Sequence, residues 1–452
     1  MSSINQYIDL YNQYRHRIEA AAPAALNALR PAAMAALEGK RMPAKGDENY
    51  EISDLEAMYA PDYGINIDRL DVIADTDEPF RCDVPNLSTN LYYIVNDMHR
   101  GSNQAKLPDG VIVTSLRDAD ATGIINKHYG KIAPIDNPQV ALNTLLAQDG
   151  TLVYVPAGVI VDKPIQLVNL LRAEGALMTN RRVLIVVEAG AQVKMLVCDH
   201  TQSIDTDFLN TQVVEAYVGE GATFDLYDLE EASEKTCRIS STWIRQEAGS
   251  NVLINGITLT NGTTRNDFHI DINGQHAETR LSGMAIASGR QLVDNHTFIG
   301  HNAGYCHSNE MFKYVLDDEA VGAFTGKILV SPDCPRTEAY QSNRNICASP
   351  RAKMYTKPQL EIYTDDVKCG HGATVGQLDQ DAMFYMQTRG ISCQEARTLL
   401  MQAFMSDIID SVRLEALRDR LRHLVEKRFA GTLAQCRSCS VAQSCHTKIK
   451  KK

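Results

Sequence analysis

The chain has 452 residues and a formal net charge of −11, with 44% apolar and 22% charged residues. That length supports about two to four domains with a large core, and the acidic balance argues against general nucleic-acid binding. No apolar run is long enough to span a bilayer, and residues 1–7 lead into a polar helical stretch rather than a signal peptide, so a soluble cytoplasmic protein is expected.

Residues 1–85 read as a helical amino-terminal domain rich in Ala, Leu and Met. The run 20–37 is interrupted by Pro23 and Pro31 and closed by Gly39, which predicts two or three short helices. Residues 42–63 form a polar connector with one helical turn at 53–59.

From 86 to 378 the pattern changes to β-branched runs punctuated by glycine. Gly158, Gly190, Gly221 and Gly249 sit in similar turn-like elements, 32, 31 and 28 residues apart. A strand, a tight turn and another strand recurring at that interval predict a parallel β-helix. An ordinary sandwich, with turns about every 8–12 residues and no such self-similarity, is the alternative. Further strands are expected at 252–260, 264–273, 278–287, 291–299, 310–316, 320–330 and 359–363. The ends of such a stack need caps or partners, because unpaired edges invite association.

Residues 379–435 read as a carboxy-terminal helical domain. A helix at 380–389 ends at Gly390, and Ser392 with Glu395 forms a capping box for a helix at 393–405. A longer one at 407–430 places Ile408, Val412, Leu417, Leu421, Leu424 and Phe429 near one face. That face either packs within the protein or meets a partner.

The Cys-rich basic tail, 436–452, carries Cys436, Cys439, Cys445 and His446 as C-x2-C-x5-C-H. Its ligands have the number and softness for zinc or an iron–sulfur centre. A three-cysteine site with an outside ligand, or a tail of reduced thiols, are the alternatives. The other cysteines, in a total of eleven at irregular spacing, are expected as reduced and mostly buried thiols.

Between the last strand and the first carboxy-terminal helix, Cys369 and His371 stand two residues apart. On a strand they share a face, and a thiolate with a neutral imidazole suits iron, zinc or cuprous copper. Two ligands fall short of a closed site, so a partner surface or further residues must complete it. His301, Cys306 and His307 could make a second cluster, although side chains facing the β-helix interior are the simpler account. No phosphate-binding G-x-x-x-x-G-K-[ST] motif and no catalytic nucleophile pattern appear. If the β-helix is instead an enzyme acting on polysaccharide, Asp205, Asp207, Asp225 and Asp228 are the candidate acids, though they read more simply as solvated turn and face residues.

The string 356–373, with Gly376, Gln377, Leu378 and Asp379, Phe384-Tyr385, and Arg389-Gly390-Ile391, resembles the SufD branch of the SufB/SufD family, scaffolds of SUF iron–sulfur cluster assembly. His301, Cys306, Ser308, Lys313, the stretch 324–330, and Asn343-Arg344-Asn345 agree, as do Met42-Pro43 and Asp47-Glu48-Asn49-Tyr50. The likeness is strongest over 294–391 and patchy before 150, and the Lys-Cys-x-His-Gly form is nearer SufD than SufB. Gly304, His307 and the cysteine tail depart from the family pattern.

The resemblance implies a mainly β protein: a right-handed parallel β-helix flanked by helical amino- and carboxy-terminal domains. It implies a non-catalytic subunit whose carboxy-terminal helices dock a SufC-like ATPase and whose β-helix pairs with a SufB-like subunit. A nascent iron–sulfur cluster would form near that seam, with His371 contributing and Cys369 beside it. The resemblance also allows a flavin in the complex. A homodimer with facing His371 half-sites, or a SufB-like principal cluster holder, are the alternatives within the family.

Overall fold

The computed structural model describes residues 2–75, 88–102, 105–119 and 122–430. Helix α1, Ser3–Ala20, starts where the Ser2 hydroxyl accepts the Ile4 amide. Helix α2, Ala24–Leu37, begins after Pro23 and runs through Pro31. Pro31 was expected to interrupt this segment. The missing hydrogen bond costs about 3 kcal/mol in isolation, but tertiary packing outweighs it: Leu26, Ala33 and Leu37 are buried. The neighbouring Arg30 guanidinium donates to the carbonyls of Thr144, Leu145 and Ala147. A short α3, Leu55–Tyr59, is capped by Asp54.

Nineteen strands, numbered in chain order, alternate between two sheets among the described residues. The first sheet holds β1 Asn90–Val95, β2 Met98–His99, β5 Ile165–Leu171, β7 Gln192–Thr201, β9 Thr223–Glu231 and β11 Asn251–Thr260. It continues with β13 Glu278–Ala287, β15 His307–Leu316, β17 Thr337–Cys347 and β19 Val367–Gly376. The second holds β3 Ile112–Ser115, β4 Thr151–Val155, β6 Leu177–Val187, β8 Phe208–Val218, β10 Thr236–Gln246 and β12 Thr263–Ile272. It ends with β14 Leu292–His301, β16 Val321–Val330 and β18 Lys353–Ile362.

From β4 and β5 onward each strand pairs in parallel with the strand two places along the chain, so the molecule is a parallel β-solenoid. Antiparallel β2 and β3 close its first end. Helices α4, Ile124–His128, and α5, Pro138–Leu146, interrupt the stretch assigned to strands. The signal for α5 is Asn137-Pro138: the Asn137 side chain accepts the amides of Gln139 and Val140.

Gly158, Gly190, Gly221 and Gly249 all have φ between 63° and 72°, the left-handed conformation glycine adopts at no steric cost. Each amide bonds the next coil's turn, as Gly221 N–H does to the Ala248 carbonyl at 2.8 Å. His276, Tyr305 and Arg336 take the left-handed conformation in the later turns, which is why the glycine repeat fades.

Inward side chains stack coil upon coil; Val193, Phe224 and Val252 share one position and are fully buried, each worth about 1.5–3 kcal/mol. Beside this apolar column runs a buried polar one. Arg181 grips Asp199 through two hydrogen bonds of 2.5 and 2.9 Å, and Arg238 reaches Asp199 at 3.0 Å and Asp228 at 2.6 Å.

The amino-terminal helices cover the outer face of the second sheet, packing on Met178, Leu209 and Ile239. The connector lies along the same face, where Arg265 donates to the Asn49 carbonyl and the Ser53 hydroxyl to Asp294. At the carboxy terminus α6 Gln380–Thr388, α7 Cys393–Asp410 and α8 Glu415–Phe429 follow. The expected break near Ser406 lies instead at 411–414. There the Arg413 amide donates to Tyr227 Oη, and its guanidinium to Asp225 at 2.8 Å. Helices α7 and α8 bury Met405, Ile408, Leu417 and Leu421 against Leu253, Met284 and Val315, on the outer flank of the first sheet. They pack within the protein and leave its end open.

Candidate functional site

The last coil, β18 and β19, is the outermost strand of each sheet. Among the described residues nothing pairs with the far edge of either, so two ten-residue strands present unsatisfied amides and carbonyls at one end of the stack. Of the covers described above, the connector touches this coil through Glu51, which pairs with Lys357 of β18 at 2.7 Å, and the next element, α6, is itself largely exposed, with Phe384 and Tyr385 in solvent.

Cys369 and His371 stand in line on β19. They pair in register with Ala339 and Gln341 of β17, both buried on the inner face. The two donors therefore continue the solenoid's interior column, exposed only because the stack ends there. Cys369 is half-buried and packs against the apolar interior; burial pushes its thiol up, so it stays protonated at neutral pH until a metal or cation displaces the proton. His371 is exposed.

The outward neighbours are charged: Lys368 pairs with Glu338 at 2.8 Å, and His307 lies 3.8 Å from the same carboxylate. Beneath His371 the column continues into Gln341 and then Glu310. Burial raises the Glu310 carboxyl from 4.5 to about 7. Sequence reading missed Gln341 because it placed no strand at 337–347, and passed over Glu310 at the first position of the strand expected at 310–316. The alternation Gln341-x-Asn343-x-Asn345 was the available signal.

The pair fits a soft metal or cluster edge in donor chemistry, since thiol and imidazole share one face about 7 Å apart along the strand. Among the described residues no three His, Cys, Asp or Glu side chains are close enough to hold a metal.

His301, Cys306 and His307 do not converge. His301 is buried, bonds Ser308 Oγ at 2.8 Å, and is held down to about 4 by burial. Cys306 is buried with its thiol against the Gly274 carbonyl, while His307 turns outward to Glu338. The interior account holds for the first two and not for His307.

The four candidate acids are split as well. Asp205 and Asp207 are exposed in a turn, as expected. Asp225 and Asp228 were expected to be solvated but are buried on opposite faces of β9, bound to Arg413 and Arg238. They share no groove. Cys436, Cys439, Cys445 and His446 lie outside the described residues. No helix among the described residues is long and apolar enough to cross a membrane.

Residues 169–404 match the family described as the SUF system FeS cluster assembly SufBD core domain, and residues 1–167 match the SufBD protein amino-terminal region. An iron–sulfur cluster assembly SufBD family protein of Synechocystis is 29% identical, covering 86% of this chain and 88% of that protein. The iron–sulfur cluster assembly protein SufD of Escherichia coli is 33% identical over 40% of this chain and 41% of its own length. SufD of Bacillus subtilis is 23% identical over 76% and 80%.

Proposed function

The chain belongs to the SufBD family of iron–sulfur cluster assembly proteins, and from that premise we propose that it acts as a SufD-type scaffold subunit. Its open end pairs with the corresponding end of a SufB-like subunit, and its carboxy-terminal helices dock a SufC-like ATPase. The observation that carries this reading is the position of Cys369 and His371: inward-facing donors on the last coil of a solenoid whose terminal strands have no partner on their outer edges among the described residues.

Edge strands of this length gain backbone hydrogen bonds on pairing. A partner solenoid seated there would bring its own donors opposite Cys369 and His371 and complete the ligand set for a nascent cluster, which is cargo and not a resident cofactor. The chain's part is to hold the imidazole in place, to supply the thiol once its proton is drawn off, and to exclude water when the end is covered. Nucleotide hydrolysis belongs to the ATPase partner, since this sequence has no phosphate-binding loop.

Anaerobic co-expression with SufB-like and SufC-like subunits tests the proposal. A stable complex is expected whose cluster yield falls with His371→Ala. A chain that co-purifies with neither partner overturns it. Truncation after Gly431 reports on the tail, and a loss of cluster there alone would move the chemistry to Cys436, Cys439, Cys445 and His446.

A further inference from the structure

Gln341 occupies the inner face of β17, level with His371 on β19 and with Glu310 on β15. The residue is 3% exposed. Its Nε2 donates to Glu310 Oε2 at 2.8 Å, while Glu310 Oε1 accepts the Thr297 hydroxyl at 2.5 Å. The amide is thus fixed from below, with its donor end committed. Its Oε1 is buried and has no hydrogen-bond partner among the described residues.

The arrangement is built into the fold. Across the lumen, Gly326 leaves the space the amide needs: a Cβ there would come within 2.4 Å of Gln341 Nε2 and 2.9 Å of Thr297 Oγ1. A buried amide oxygen without a donor costs about 1–3 kcal/mol, and level residues on adjacent strands sit about 4.8 Å apart. A ring N–H one coil above is within a side-chain rotation of that oxygen.

We propose that Gln341 is the positioning residue for His371, its Oε1 accepting a ring N–H so that the imidazole is held as one neutral tautomer with its other nitrogen free for the metal. The metal's involvement rests on the function proposed above; the hydrogen bond itself does not. A ligating histidine commonly donates its second ring N–H to an oxygen, and that bond sets both tautomer and ring orientation. Glu310 and Thr297 then act one step further back, holding the amide that holds the ring. The Thr356 hydroxyl on β18 is also buried and without a partner among the described residues, so it is the alternative donor that the test separates from the ring.

The test uses the full chain labelled with nitrogen-15 histidine, with the His371 signals assigned by His371→Ala. In the wild type the His371 ring N–H is expected as a protected, slowly exchanging signal. Gln341→Met, which fills the space without an acceptor, should abolish it, whereas Gln341→Glu and Thr356→Val should preserve it. In the complex with both partners, Gln341→Met should lower cluster yield about 10-fold or more, with Gln341→Glu recovering most of it.

An unprotected His371 ring in the wild type, or protection that survives Gln341→Met or is lost with Thr356→Val, overturns the inference. So does a cluster yield that His371→Ala lowers and Gln341→Met does not. If His371→Ala leaves the yield unchanged, the proposed function fails, while the ring signal still decides the role of Gln341.

Discussion

Lys313, on the outer face of β15, donates to Asp407 at 2.5 Å and to the Phe404 carbonyl at 2.7 Å, tying α7 to the solenoid. Its side chain is almost fully buried, with the ammonium over the Phe404 ring. Three residues earlier the same strand turns Glu310 inward, beneath Gln341. One strand therefore meets the carboxy-terminal helices on one side and the column under His371 on the other.

Lys313→Met keeps the apolar stem and removes the charge. Asp407 is half-exposed and can be solvated, so the expected loss is about 1–3 kcal/mol, read as a lower urea midpoint. Limited proteolysis should cut near α7 sooner than in the wild type. Unchanged cleavage would show that apolar packing alone anchors the helix.

Arg238→Met should be far costlier. It leaves Asp228 without its 2.6 Å partner and strips Asp199 of one of two guanidinium groups, inside the solenoid. Removing one partner of a buried ion pair costs about 3–5 kcal/mol. Replacing Arg238 together with Asp228 by apolar residues should recover part of that loss in equilibrium denaturation.

Glu310 predicts a pH dependence. Its carboxyl is raised from 4.5 to about 7 by burial, so the folded state binds the proton more tightly than the unfolded one. The resulting stability is complete below pH 4.5 and is lost as pH rises through 7. Glu310→Gln removes this slope. Between about pH 5 and 8 the variant should gain on the wild type by on the order of 3 kcal/mol, measured by denaturation across that range; parallel curves would refute the assignment.

His371→Ala should change stability by less than about 0.5 kcal/mol, since the side chain is exposed. Any larger effect would give the ring a structural role. In thiol labelling of the native chain, among the described cysteines exposed Cys393 should react first and half-buried Cys369 more slowly. Buried Cys198, Cys306 and Cys334 should react only on unfolding. Peptide mass mapping reads the order, and prompt labelling of Cys306 would contradict it.

Much of the architecture was legible in the chain. The spacing of Gly158, Gly190, Gly221 and Gly249 announced the solenoid, because a left-handed turn recurs wherever a coil closes. Strand β13 falls at its expected bounds. Strand β17 was missed: Gln341, Asn343 and Asn345 fill the middle of its inward face, between Ala339 and Cys347, so the usual apolar alternation is broken. Pro31 misled for the opposite reason, since a local penalty was outweighed by burial against distant residues.

By itself the sequence determined the type of fold and the order of its three regions, and it offered Cys369 and His371 as candidate donors, because these follow from local periodicity and from chemistry carried by single side chains. Only the tertiary structure decided that both donors continue an interior column, that Gln341 and Glu310 lie beneath His371, and that the helices flank the solenoid rather than cap it. Those relations join residues about thirty positions apart or more, through strand register, and register is set by the stacking of whole coils.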